Sequence, residues 1–346
     1  MTLTPATFPA ALKSATSGSV LELGPGDYGN LLVSGRSFPE PLRIVAADRA
    51  NPPTFNTVRI KASDGVRLEG ITVAFKPTLT TTGSQNVVFV DGSRRVTFAG
   101  GKITSGPAIN GIPETETKLD ASGNVKGWPL GRGFYVQAST DIAISDSEVW
   151  GTQRGLLTYK STSVRFLRNH VHDVRRTFIL GDACDLTVEG NYLYGSQPWR
   201  WGQTPIGDHG DFIALFLPSG ASPMTNVRVI GNVGQQRPDG VPILGITLSG
   251  IRGIEVRGNV LTGTDHQGLL ATDIQGATIA DNVFTGKAGM ILRAGTERIA
   301  VSGNVAAYVE DRLKGATGNL IGPKRRIVRD LALPGGGRLI ETAPRP

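Results

Sequence analysis

The sequence lacks several features that mark common classes of protein. It contains one cysteine, Cys184, so no disulfide can form within the chain. It has no apolar run of about 18 residues, so we expect no membrane insertion. Its tightest basic cluster is the short run Lys324, Arg325 and Arg326, without the denser Lys/Arg run or the motif that nucleic-acid binding usually requires. We therefore expect no nucleic-acid partner.

The N-terminal segment MTLTPATFPAALKSA also lacks a feature, the secretory signal. It has no basic start followed by a long apolar core. Either a signal has been removed from this sequence, or the protein leaves the cell by another route, such as release by lysis with a phage-like particle. The expected location is extracellular or on a virion surface.

The residues that are abundant indicate many short strands and an anionic partner. The chain has 46 glycines and 21 prolines in 346 residues, placed between short apolar runs without a collagen period. Its formal net charge is +7, which favours polyanions. Nucleic acid, anionic lipid and acidic polysaccharide are such polyanions, and an acidic polysaccharide is the partner that we expect.

An internal repeat is the strongest signal in the sequence. Seven segments alternate apolar and polar residues, which predicts strands with one buried face. Their starts are 22, 22, 41, 27, 23 and 22 residues apart, and the step of 41 is interpreted as one coil with a long insertion. The segments are 141–149, 163–171, 185–193, 226–234, 253–261, 276–284 and 298–306.

Each segment carries a small polar residue at the same point, where we expect a sharp corner in the left-handed conformation that Asn tolerates. Stacked coils would place these side chains about 4.8 Å apart, in a buried amide ladder. The corner residues are Ser147, Asn169, Asn191, Asn232, Asn259, Asn282 and Asn304.

A second apolar strand precedes each segment, for example GFYVQ at 133–137 and DFIAL at 211–215. Two strands and an Asn corner per coil predict an all-β fold, a single right-handed parallel β-helix. Residues 5–16 are predicted to form a short amphipathic helix that caps the N-terminal end. The β-helix is predicted to span 1–311, and 312–346 an irregular C-terminal cap and tail suited to oligomerisation.

The first coils resemble a known family. The segments ATFPAALKSATSGSVLELGPGDY, PEPLRIVAAD and GVRLEGITV are similar to the start of polysaccharide lyases that act on alginate and dermatan sulfate. The whole chain resembles the pectin-lyase-like parallel β-helix superfamily, whose members are mostly lyases, hydrolases or epimerases of polysaccharides, or phage spike proteins. The related lyases use a Lys and an Arg about one coil apart. Here Lys160 is followed one coil later by Asp182, which departs from that pattern.

Three arginines recur at 22-residue steps, each just before a strand: Arg132, Arg154 and Arg176. Such a column is predicted to bind regularly spaced carboxylates or sulfates, or to be neutralised by neighbouring acids. Arg175 adds to this patch. Lys160 and Asp182, aligned one coil apart, predict either a surface ion pair or polar contacts to the substrate.

The segment GDHGDFIALF follows the longest insertion and opens a strand beside the arginine column. It supplies Asp208, His209 and Asp211, and His209 suits general base catalysis near neutral pH. Together with Arg176 and Tyr159, these residues form the predicted catalytic group. The structural alternative is a capped turn with His209 on the surface.

The insertion 194–208 carries Trp199, Arg200 and Trp201, which are predicted to form a platform for sugar rings, although one Trp is equally suited to sealing the core. No Cys/His cluster has metal-ligand spacing, so we expect no transition metal, and the overall expectation is no metal site and no cofactor. The alternative is a calcium ion bound by Asp182, Asp208 and Asp211.

These residues allow three functions. β-Elimination from a uronic acid polymer would use arginine to neutralise the carboxylate, His209 as base and a tyrosine to assist. Hydrolysis would pair Asp182 with Asp208 or Asp211 at about 5–9.5 Å. A spike or fibre of a phage-like particle would bind capsule without cleaving it.

Overall fold

The computed structural model describes residues 2–76, 85–105, 131–198, 208–216, 222–238, 240–293 and 295–311, and the backbone of 320–321, 328–332 and 338–342. The chain divides into two compact units, Met1–Phe166 and Leu167–Pro346, and each is described by itself. Both consist of parallel strands apart from one helix and one hairpin, so the predicted all-β class is confirmed.

The first unit begins with helix α1, Phe8–Ser14, inside the predicted range 5–16. Phe8 is buried and its ring lies edge-on to Tyr28 and Phe55, so the helix is anchored through one aromatic residue. The strands of this unit are β1 (Val20–Leu23), β2 (Gly26–Asp27), β3 (Asn30–Ser34), β4 (Ser37–Ala46), β5 (Pro53–Phe55), β6 (Thr57–Lys61), β7 (Asp64–Glu69), β8 (Thr72–Ala74), β9 (Gln85–Asp91), β10 (Arg94–Ala99), β11 (Lys102–Thr104), β12 (Gly131–Gln137), β13 (Thr140–Ser145), β14 (Glu148–Trp150) and β15 (Arg154–Leu167).

Strands of the first unit pair with the equivalent strand of the next coil. β10 lies between β7 and β13, and β11 lies between β8 and β14, all in parallel. The coil of β12, β13 and β14 has three strands, whereas a later coil has two, Leu244–Arg257 and Val260–Thr262. The prediction of two strands per coil therefore holds for some coils and not for others, and the corner residue separates a longer strand from a short one.

The second unit repeats this arrangement. β17, β20 and β23 pair in parallel, and the short strands β16, β19 and β22 form a separate parallel sheet. At the C-terminal end β32 and β33 pair as an antiparallel hairpin. The strands are β16 (His170–His172), β17 (Ile179–Cys184), β18 (Thr187–Glu189), β19 (Tyr192–Tyr194), β20 (Asp211–Leu215), β21 (Met224–Ile230), β22 (Val233–Gln235), β23 (Leu244–Arg257), β24 (Val260–Thr262), β25 (Gln267–Ala280), β26 (Val283–Phe284), β27 (Gly289–Leu292), β28 (Glu297–Ser302), β29 (Val305–Ala306), β30 (Tyr308–Asp311), β31 (Leu320–Ile321), β32 (Val328–Ala332) and β33 (Arg338–Thr342).

The predicted asparagine ladder is present in the second unit. Six buried asparagines stack, and the backbone N–H and side-chain amide of each of the first five donate to the Oδ1 of the next one at 2.8–3.0 Å. Asn191 and Asn232 are direct neighbours, which confirms that the step of 41 is one coil. The members are Asn169, Asn191, Asn232, Asn259, Asn282 and Asn304.

The predicted conformation of these asparagines was wrong. The residue before each one adopts the left-handed backbone, with φ of 52–66° from Arg168 through Gly190 to Gly303. The Asn contributes hydrogen bonds, and its predecessor makes the turn. Gly, Asp or Arg fills the turning position, and Gly does so without steric cost.

A serine ladder occupies another corner of the first unit. Ser63, Ser93, Ser139 and Ser161 are buried, and the backbone N–H of each of the first three donates to the hydroxyl of the next at 3.0–3.2 Å. The residue before each serine again has a positive φ, which includes Lys160 at 50°. Sequence analysis missed this ladder, because the insertions break its spacing into 30, 46 and 22 residues.

Apolar columns fill the interior. In the second unit Val188, Val229, Val256, Ile279 and Val301 are register partners on successive strands, and all are buried. Each such side chain contributes up to about 1.5–3 kcal/mol on transfer from water. Along the described ranges, no helix is long and apolar enough to cross a membrane.

We predict that Asn232→Ala lowers the free energy of unfolding by about 3 kcal/mol, because it leaves the buried N–H groups of Asn191 without their acceptor. Denaturant titration of the variant against wild type measures this. Asn51→Ala, at an exposed position, is the control. Equal losses in the two variants would contradict a structural role for the ladder.

Candidate functional site

The candidate site lies in the second unit, where the chain enters strand β20. Asp208 is 2% exposed and is bound by two consecutive arginines. Arg175 donates from Nε to Oδ2 at 2.7 Å and from a terminal nitrogen to Oδ1 at 3.1 Å. Arg176 Nε lies 3.2 Å from Oδ1. One carboxylate thus accepts two hydrogen bonds from Arg175 and forms an ion pair with Arg176.

The two arginines differ in exposure. Arg175 is 1% exposed, and the side chain of Arg176 is 26% exposed. A buried guanidinium with a bidentate carboxylate partner holds structure in place. Arg175 thus differs from Arg176 in being buried, and its predicted contact with substrate stays a prediction. Arg176 keeps part of its side chain at the surface.

Asp211 begins strand β20 and is 7% exposed. Thr247 donates its hydroxyl to Oδ1 at 3.0 Å, and Thr177 lies 3.4 Å from Oδ2. Gln267 donates its amide N–H to the Thr247 oxygen at 2.9 Å, so the single Thr247 proton is directed at Asp211. Three strands thus hold one carboxyl group in place.

The pKa of Asp211 is raised because burial disfavours its charged form. The Thr247 hydrogen bond, the charge of His209, the Thr177 contact and the charge of Arg176 each act in the opposite direction without cancelling the rise. Asp211 is therefore a buried carboxyl group whose protonated form is favoured by burial. His209, two residues before it, is exposed.

Buried aromatic packing sets the register of this site. Phe178, next to Thr177, stacks on Phe212, next to Asp211, with ring centroids 5.4 Å apart and an interplanar angle of 7°. Both rings are fully buried. The strand entrances of two successive coils are therefore held in fixed alignment.

Asp182 does not join this cluster. The register pairs Gly181 with Leu215, so Asp182 lies five residues along β17 from the partner position of Asp211. Asp182 is also buried. The predicted hydrolytic pairing of Asp182 with Asp211 is not brought together, and Asp208 with Asp211 is the acid pair at this location.

The other predicted residues lie elsewhere. Arg132 and Arg154 are register partners on β12 and β15 of the first unit, which confirms the column for these two. Lys160 is exposed at a corner of that unit, with Nζ 5.1 Å from the ring centre of Tyr159. Trp199, Arg200 and Trp201 lie outside the described residues.

Thr177, Thr247 and Gln267 are site residues that sequence analysis missed. Thr177 lies just before β17 and Gln267 begins β25. The apolar residues of these strands dominate the sequence pattern, so the polar residue at each start was not identified. Only the register of three coils shows that they converge on Asp211.

Comparison with known proteins identifies the fold. The chain matches no protein-family model and no curated protein sequence. Among solved structures it is similar to an alginate lyase from Paenibacillus sp. (12% identity, TM-score 0.51, covering 92% of this chain and 96% of that one) and to the A-module of the mannuronan C-5 epimerase AlgE6 from Azotobacter vinelandii (12%, 0.53, 92% of each chain). It is also similar to the Dettilon tailspike protein (14%, 0.51, 92% of this chain and 64% of that one). The chain has the fold of the pectin-lyase-like parallel β-helix proteins.

We predict that Asp211→Asn becomes progressively more stable than wild type as pH rises from about 4 toward 7. The raised pKa means that the folded protein holds this proton at pH values where the unfolded chain has released it, so wild-type stability falls through this range. Urea denaturation at several pH values measures the difference. Parallel stability curves for the two proteins would contradict the assignment.

Proposed function

We propose that this protein binds an acidic polysaccharide and cleaves it by β-elimination at the Asp211 cluster. The supporting observation is the placement of a partly exposed Arg176 and an exposed His209 beside a buried carboxyl group with a raised pKa. Similarity to structures described as an alginate lyase, a pectate lyase and a mannuronan epimerase agrees with this class of substrate.

The reaction assigns one role to each group. Arg176 neutralises the carboxylate of a uronic acid residue, which acidifies the proton on carbon 5. His209 removes that proton, and a double bond forms between carbons 4 and 5 as the bond from carbon 4 to the glycosidic oxygen breaks. Protonated Asp211 delivers a proton to the departing oxygen. Asp208 and Arg175 act through Arg176, which they hold in position.

The remaining predicted residues are proposed as contacts along the polymer. Arg132 and Arg154 offer positive charge on adjacent strands, and Lys160 and Tyr159 lie at a corner of the same unit. Trp199, Arg200 and Trp201 are proposed to bind sugar rings. Asp182 is buried, and we place no catalytic step on it or on Tyr159.

The sequence repeat also supports a proposal about the architecture and location of the protein. Its 22-residue step continues through the sequence from 141 to 185, which is expected of one right-handed β-helix with its C-terminal cap at 312–346. An extracellular or virion-surface location, with oligomerisation through that cap, is consistent with the similarity to a tailspike.

Hydrolysis is the second candidate, because Asp208 and Asp211 occupy opposite environments. Asp208 is ion-paired with two arginines, whereas burial favours the protonated form of Asp211. A carboxylate next to a carboxylic acid is the arrangement of a glycosidase base and acid. A spike that only binds its polysaccharide would perform neither reaction.

We predict that incubation with alginate, polygalacturonate or another uronate polymer generates the ultraviolet absorbance of an unsaturated uronate. His209→Ala and Asp211→Asn should each lower kcat by about 100-fold or more, since each removes a proton-transfer group. Continuous absorbance assays measure this. His266→Ala, which removes an exposed histidine beside Asp265 two coils later, is the matched control and should keep full activity.

The competing functions give different outcomes. New reducing ends without ultraviolet absorbance would show that the reaction is hydrolysis and not elimination. Binding without new ends would make the protein a receptor-binding spike. Full activity in both His209→Ala and Asp211→Asn would remove the proposed site.

A further inference from the structure

Two aromatic side chains on adjacent strands of the first unit form a paired surface. Phe89 on β9 and Tyr135 on β12 are register partners, and their rings stack with centroids 5.2 Å apart at 26°. Both side chains are half-buried. The neighbouring residues Val88, Val90, Phe134 and Val136 point into the core, so strand alternation directs these two rings outward.

Hydrogen bonding fixes the orientation of the Tyr135 ring. Its hydroxyl donates to Gln137 Oε1 at 3.0 Å, two residues along the same strand. The two rings are therefore held as one surface across two coils. Such a surface suits the C–H face of a sugar ring, because an aromatic face carries negative charge density and the C–H groups carry positive.

Positive charge borders these rings. The Arg132 guanidinium lies 5.4 Å from the Tyr135 ring centre, and Arg154 is the register partner of Arg132 on the next strand. Arg59 is the register partner of Phe89 on the other side. Three cations around one aromatic pair favour an anionic ligand.

Two buried polar atoms at this edge have no hydrogen-bond partner within the described ranges. They are Arg132 Nε and the Oδ1 of Asn86, its register partner on β9. Buried polar groups are normally satisfied, so both atoms indicate a partner that the described chain does not supply. One is a donor suited to a carboxylate, and the other is an acceptor suited to a hydroxyl group.

We propose that Phe89, Tyr135, Arg132 and Asn86 form a binding site for one uronic acid residue of a polysaccharide. The sugar ring stacks on Tyr135 and Phe89, its carboxylate accepts from Arg132, and one of its hydroxyl groups donates to Asn86. The inference rests on the proposed function for its ligand class, an acidic polysaccharide. It requires no cleavage.

The test is calorimetric titration of the full chain with mannuronate, guluronate and galacturonate tetrasaccharides, and with the carboxyl-reduced form of each. The measurements use Asp211→Asn as the parent protein, so that cleavage is slowed during the titration. At least one acidic tetrasaccharide should bind, and its reduced form should bind about tenfold more weakly or worse.

Variants separate the two parts of the site. Arg132→Gln should weaken binding about tenfold or more through loss of the charged donor. Tyr135→Ala should weaken it roughly three- to tenfold through loss of the ring. Tyr135→Phe keeps the ring and should bind nearly as wild type. Arg43→Gln, at an exposed arginine on β4, is the charge control and should leave affinity unchanged.

Three outcomes would overturn the site: no binding of any acidic tetrasaccharide, equal binding of the reduced form, or unchanged affinity in both Arg132→Gln and Tyr135→Ala. Thermal unfolding of each variant confirms that it is folded. Failure of the proposed elimination is a separate result. Even if the wild-type protein makes no unsaturated product, Arg132→Gln should still weaken binding of the oligosaccharide.

Discussion

The parallel backbone pairing that joins each strand to the strand one coil later is the constraint on which the other features depend. It fixes the neighbour of every side chain across the sheets. A slip of one residue would turn the core face of a strand toward solvent. The buried ladders of asparagine and serine oppose such a slip, because each amide or hydroxyl group finds its partner only in one register. The stacked Phe178 and Phe212 do the same next to the candidate site.

The same constraint explains how much of the molecule could be predicted from the sequence. The repeat revealed the coils, the asparagine ladder and the Arg132–Arg154 column, since these depend only on spacing. The left-handed conformation was assigned to each asparagine, because Asn tolerates it, whereas the residue before each asparagine adopts it. The serine ladder was missed because long insertions interrupt its spacing.

The chemistry of the candidate site was less accessible to sequence analysis. The segment containing Asp208, His209 and Asp211 was identified from its density of titratable groups. The sequence could not show that Arg175 is buried and Arg176 partly exposed, since the two are adjacent and identical in type. Thr247 and Gln267 are ordinary polar residues in strands. Their importance comes from converging on one carboxyl group across three coils.

Burial determines the chemical properties of the Asp208 and Asp211 carboxyl groups. Asp208 is ion-paired with two guanidinium groups, whereas Asp211 is held by hydroxyl groups and burial raises its pKa. The fold supplies the scaffold without choosing the reaction, since pectin-lyase-like structures include enzymes and a tailspike. The proposed function therefore depends on the Asp211 cluster and not on the fold.

A crystal structure of the Asp211→Asn protein with a bound uronate oligosaccharide would show whether Arg176 and His209 contact the substrate. We predict a sugar carboxylate at Arg176, with carbon 5 facing His209 and the glycosidic oxygen facing residue 211. An oligosaccharide bound with no contact to Arg176 or His209 would contradict it.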